Sequence, residues 1–208
     1  MKVISKKLLL SLAIGMTLVA CLNSSAESQE EAPKPLDIGT QFVASGWMGD
    51  GELGPPYVTL SQGSKENPHS KPVCIKVTYM SPGAKDKWAG IYWQNKPNNW
   101  GDQPGENLTK FGYNALTFWA RGDKGGEVLR FIAGGIDTPG KPYKDSFKVD
   151  TGLIALEQDW KQYTIDLEGQ DLSSVIGGIA WASGFFDNPE GLIFYLDDIR
   201  YERIGVTK

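Results

Sequence analysis

The sequence predicts an all-β protein built as an antiparallel β-sandwich, and three observations carry that reading. Short segments of alternating apolar and polar residues recur along the chain, separated by turn residues. The composition is rich in aromatics and glycine, with 7 Trp, 8 Tyr, 8 Phe and 25 Gly, and has few long apolar runs. No sustained helical period appears beyond residue 36. Strands spaced this way suit antiparallel pairing rather than a βαβ series.

The elements follow in order. A basic start (Lys2, Lys6, Lys7) leads into an apolar run from Leu8 to Ala20. That run is short for a membrane span and has the flank and small-residue end of a secretory signal, so residues 1–20 read as a signal peptide. Leu18-Val19-Ala20-Cys21 resembles the lipobox of bacterial lipoproteins, which implies that Cys21 becomes the first mature residue and carries lipid. Ser24-Ser25-Ala26 offers an ordinary cleavage site as the competing reading. Several acyl chains, at roughly 0.8 kcal/mol per buried CH₂, hold a protein stably on a membrane. The expected location is therefore the bacterial cell envelope, at the outer membrane or cell surface.

Residues 21–37 hold the lipidated cysteine and a flexible tether rich in Ser, Glu and Pro, which spans about 20 Å at roughly 5–6 Å × √n. Loss of residues 1–20 removes three lysines and no acid, so the net charge moves from −4 to −7. An acidic domain disfavours nucleic acid and anionic lipid surfaces as partners. With Cys21 lipidated, Cys74 is left unpaired and reads as a small buried hydrophobe.

The sandwich itself is expected over residues 38–204, with a short tail at 205–208. Ile75-Lys76-Val77-Thr78-Tyr79 alternates cleanly. Strands are also expected at 116–121, 128–132, 161–167, 178–181 and 192–196. Ser81-Pro82-Gly83, residues 122–126, Pro139-Gly140 and Glu168-Gly169 supply the turns. A short helical turn is expected at residues 171–175, capped by Asp171.

Several segments together are similar to the β-jelly-roll carbohydrate-binding modules of the galactose-binding-like superfamily. They are Trp88-Ala89-Gly90-Ile91-Tyr92-Trp93-Gln94, Asn98-Asn99-Trp100-Gly101-Asp102 and Leu116-Thr117-Phe118-Trp119-Ala120-Arg121-Gly122. Residues 159–167 and Phe194-Tyr195-Leu196-Asp197-Asp198-Ile199 continue the likeness. The resemblance implies a jelly roll whose last strand returns beside the first. It also implies glycan binding on a concave sheet face or in the loops at one end, and a structural calcium ion. It places a calcium ligand at Asp197, and Asp50 or Glu52 is expected to add another, although turn capping explains Asp197 and Asp198 equally well.

A pyranose offers an apolar face to flat rings and a rim of hydroxyls to planar polar groups. Tyr92 shares strand parity with Gln94, and Trp119 shares parity with Arg121, so two neighbouring strands are expected to form a sugar platform. Trp100 is expected to close one end of it, and Trp181 to add a second stacking surface. Trp93 and Trp160 read as core, while Trp47 fits either role.

The remaining signals point elsewhere. Arg121-Gly122-Asp123 reads as hairpin chemistry rather than an adhesion tripeptide, and His69 has no His or Cys partner at zinc spacing. No motif fixes the pair of carboxylates that a glycosidase needs, and Gly-x-Ser-x-Gly is missing. The expectation is a membrane-anchored, non-catalytic glycan binder. The alternatives are a structural or protein-interaction lipoprotein of the envelope, or a small glycan-active enzyme.

Overall fold

The computed structural model describes residues 33–80, 83 and 85–205. The signal peptide, Cys21, most of the tether and the last three residues lie outside them. Among the described residues, twelve strands make two antiparallel sheets. The first sheet contains β1 (Leu36–Asp37), β3 (Val58–Ser64), β4 (Cys74–Tyr79), β6 (Ala115–Gly122), β10 (Lys161–Asp166) and β12 (Leu192–Glu202). Its order is β10-β6-β12-β4-β3, with β1 also paired to β12. The second contains β2 (Phe42–Gly49), β5 (Trp88–Asn95), β7 (Val128–Gly134), β8 (Lys148–Asp150), β9 (Ile154–Ala155) and β11 (Gly177–Gly184). Its order is β2-β5-β11-β7-β8, with β9 also paired to β7.

Leu36 and Asp37 pair with Tyr201 and Arg200, so the folded domain includes two residues that the sequence assigns to the tether. The expected helical turn at 171–175 does not form. The Asp171 carboxylate instead accepts the Ser173 amide at 2.9 Å, and Val175 bridges to Glu106. That side chain satisfies the backbone locally, which competes with helix formation.

Alternation puts one face of each sheet into a shared core. Val77, Tyr79, Phe118, Phe194 and Leu196 come from the first sheet, and Ile91, Trp93, Phe131 and Trp181 from the second. Aromatic rings join the layers: Phe118 meets Phe131 at 4.4 Å between centroids, and Trp181 meets Phe194 edge-on at 5.2 Å. Edge contacts of this kind add about 0.5–1.5 kcal/mol each beyond the area they bury.

Asp145 fastens the long β7–β8 connection to the second sheet. Its carboxylate accepts the Ile136 amide at 2.7 Å, and also those of Ile176 and Gly177. Burial pushes its carboxyl up to about 6, against the opposing pull of those three amides. A carboxyl raised on folding binds its proton more tightly in the native state. Its contribution to stability is therefore full below the ordinary carboxylate range and is lost as pH rises through about 6. In an NMR titration the amides of Ile136, Ile176 and Gly177 are expected to shift together with a midpoint near 6, and Asp145→Asn to abolish it. A midpoint near the ordinary carboxylate value would refute this.

Candidate functional site

The strands expected to share one platform lie in different layers: β5, with Tyr92 and Gln94, is in the second sheet, and β6, with Trp119 and Arg121, is in the first. Trp119 and Arg121 do point outward together, but the connection from β3 to β4 lies over them. His69 stacks on Trp119 with centroids 3.8 Å apart and 17° between planes. Arg121 lies 3.7 Å over the Tyr195 ring and donates to the Glu66 carbonyl at 2.9 Å. Trp160 donates its indole N–H to the Asn67 carbonyl at 2.8 Å. The chain's own imidazole thus takes the stacking face that sequence reasoning offered to sugar.

Carboxylates hold the same connection down. Asp197 accepts the Ser70 amide at 2.9 Å, and Asp198 takes His69 Nδ1 at 2.8 Å together with the Ser70 hydroxyl. Asp50 is fully buried, accepting the Tyr79 hydroxyl at 3.0 Å and the Asp86 amide at 2.7 Å. Tyr79 ends β4 at one pole, whereas Asp197 sits next to Leu196, which pairs with Ile75 near the other end of β4. Glu52 is exposed beside Asp50. Asp50, Glu52 and Asp197 therefore do not converge on one ion, and no group of three His, Cys, Asp or Glu is arranged for a metal among the described residues.

The outer face of the second sheet divides into a covered half and an open half. In the covered half, Tyr92 is only 6% exposed, packs with Ile132, Ile136, Ile176 and Ala180, and donates its hydroxyl to the Gly134 carbonyl at 3.1 Å. Trp181 faces the other way, is fully buried in the core, and offers no stacking surface.

Gln94 is also buried, and its role is to build a loop. Its amide oxygen accepts the Ser45 hydroxyl at 2.8 Å, and its amide nitrogen donates to the Asn99 carbonyl at 2.9 Å. The Asn99 side chain donates to the Asn95 and Gln103 carbonyls and accepts the Gly101 and Gln103 amides. Gly46 is required beside this network, because a Cβ there would lie 2.8 Å from the Gln94 amide. The product is a stiff loop that presents Trp100 half-buried, edge-on to Tyr92 at 6.0 Å.

Across the row Met48–Gly90–Ala182–Arg130 of β2, β5, β11 and β7, Gly90 is buried beneath Met48, and the open half lies from Ala182 and Gly184 to Arg130. A Cβ at Gly90 would lie 2.7 Å from the Met48 methyl and 2.6 Å from the Trp181 carbonyl, whereas Ala182 and Gly184 on β11 leave a low floor. On one bank Trp88, 42% exposed, rests against Gly49, where a Cβ would come within 2.8 Å of the indole. On the other bank Arg130 pairs with Asp150 at 3.0 Å, beside the half-exposed Leu153. Trp88, Arg130, Leu153, Ala182 and Asp187 line a shallow depression of about 240 Å³. Two inter-strand spacings separate the banks, about 10 Å. A flat ring, a planar cation with its carboxylate and a low floor make a surface suited to a ring-shaped polar ligand.

Sequence reasoning missed Trp88 and Arg130 as site residues. The available signal was parity: Trp88, Gly90, Tyr92 and Gln94 alternate onto one face of β5.

The fold is an antiparallel β-sandwich, similar to that of solved carbohydrate-binding modules. Among solved structures it is similar to a family 30 carbohydrate-binding module, at 15% identity over 80% of this chain and 97% of that one, with a TM-score of 0.52. It is similar also to the family 11 module from Clostridium thermocellum in complex with a β-1,3-1,4-mixed-linked tetrasaccharide (15% identity, 82% and 95% covered, TM-score 0.52). A family 11 module of a cellulosomal cellulase from the same organism gives 16% identity, 85% and 98% coverage and a TM-score of 0.50. No sequence-family model and no curated protein matches the chain.

Proposed function

We propose that this protein is a non-catalytic glycan binder, held to a bacterial envelope membrane by lipid on Cys21, and that the glycan lies along the open half of the second sheet. The observation that carries the reading is Trp88: a tryptophan kept 42% exposed beside a floor of Ala182 and Gly184, with its ring seated on Gly49. The Arg130 and Asp150 pair on the opposite bank supplies donors and acceptors for a hydroxyl rim.

Affinity electrophoresis of the full chain through gels containing soluble polysaccharides is expected to show retardation on at least one polymer. Unchanged mobility on a broad panel of neutral and charged glycans would overturn the binding reading. The anchor is tested separately. Cys21→Ser is expected to move the protein from the membrane fraction to the soluble fraction, and a variant that stays in the membrane fraction would remove lipid attachment at Cys21.

A further inference from the structure

A second depression opens beyond the edge strand β2, of about 420 Å³, within the range of small-ligand sites. Ser45, Trp47, Glu52, Asn98 and Trp100 line it, with Leu53 at the rim. Two features set it apart from an incidental hollow. Both tryptophans are only half-buried, and each is fixed from behind. Trp100 rides on the loop that the buried Gln94 and Asn99 amides hold, and the Asn98 amide donates to Ser45 Oγ at 3.0 Å. Trp47 packs beside Gly51, where a Cβ would lie 3.4 Å from the indole and 3.1 Å from the Gly90 carbonyl.

The charge in this depression is of one sign. Glu52 is the ionisable group in the lining; it is exposed, and no Lys or Arg faces it among the lining residues. Indole faces attract cations through their quadrupole, and a carboxylate supplies the counter-charge. We infer that the β2-edge depression is a second recognition site, for a sugar that carries a free, protonated amine. The inference rests on the glycan-binding reading for its ligand class, but it uses residues separate from the Trp88 groove.

The test is calorimetric titration of the full chain with a β-1,4-linked glucosamine hexamer and with its N-acetylated counterpart, at about pH 6, below the ordinary range of an amine. The wild-type protein is expected to prefer the amine form by about tenfold. Glu52→Gln, an exposed change that leaves the fold intact, is expected to erase the preference. Trp47→Ala is expected to weaken binding of the hexamer, with thermal melting checking that the variant folds. Equal affinity of the wild type for the two hexamers, or a preference that survives Glu52→Gln, overturns the inference. Loss of neutral-polysaccharide retardation in Trp88→Ala, with the Glu52-dependent preference retained, supports two distinct sites. If no neutral polysaccharide is bound but the Glu52-dependent preference is present, the groove reading fails and the amine site stands.

Discussion

Trp88→Ala is expected to lower affinity for a bound polysaccharide by about 10- to 60-fold while leaving the melting temperature almost unchanged. The two outcomes separate because of where the ring sits. With 42% of its surface exposed, the indole leaves roughly 100 Å² for a ligand to cover, out of about 250 Å². At about 25 cal/mol per Å², covering half to all of that area contributes ~1.3–2.5 kcal/mol, which sets the fold-change. The ring is not part of the inter-sheet core, so removing it opens no internal cavity. Trp88→Phe is expected to keep part of the affinity, since a smaller flat ring remains. Calorimetry on the polysaccharide found by electrophoresis measures all three proteins, and wild-type affinity in Trp88→Ala would move the binding face away from this groove.

The largest stability effect is expected at Trp181. This side chain has no exposed surface, and its ring meets Phe194 edge-on at 5.2 Å. Trp181→Ala is expected to cost about 3–5 kcal/mol, through lost transfer energy and the cavity left between the sheets. A domain stable by about 5–15 kcal/mol would be brought close to unfolding. The Trp181 indole N–H finds no acceptor among the described residues, so it is buried at a cost. Trp181→Phe discards that unsatisfied donor along with some volume, and is therefore expected to lose far less. Urea unfolding of the three proteins checks the order, and equal losses for alanine and phenylalanine would refute it.

The sandwich was legible because β4 alternates cleanly, while β6, β7, β10, β11 and β12 are short segments rich in apolar and aromatic residues. β2 and β3 hid for physical reasons. A register shift between Ala44 and Gly46 breaks the parity of β2, and β3 is an edge strand, Val-Thr-Leu-Ser-Gln-Gly-Ser, shifted in register between Ser61 and Ser64.

The site was less legible. Parity shows that Tyr92 shares a face with Gln94, and Trp119 with Arg121. It does not show which sheet a strand joins, nor what a distant connection lays over it. His69 lies 50 positions before the tryptophan that it covers, and no local pattern announces that stack. Trp181 shares parity with Ile179, and both lie in the core between the sheets.

The eleven-residue strand β12 has a consequence for how the chain acquires its structure. It is the last strand among the described residues, yet it lies between β6 and β4 and also receives β1. A chain ending before residue 192 leaves the flanks of both β6 and β4 as open edges, with their backbone groups free to pair with other molecules. The first sheet is thus completed by its most C-terminal described strand, through contacts between segments far apart in sequence. Such topologies, rich in non-local pairing, fold slowly, in roughly milliseconds to seconds. Truncation near the C-terminus should therefore yield aggregate rather than a smaller sandwich.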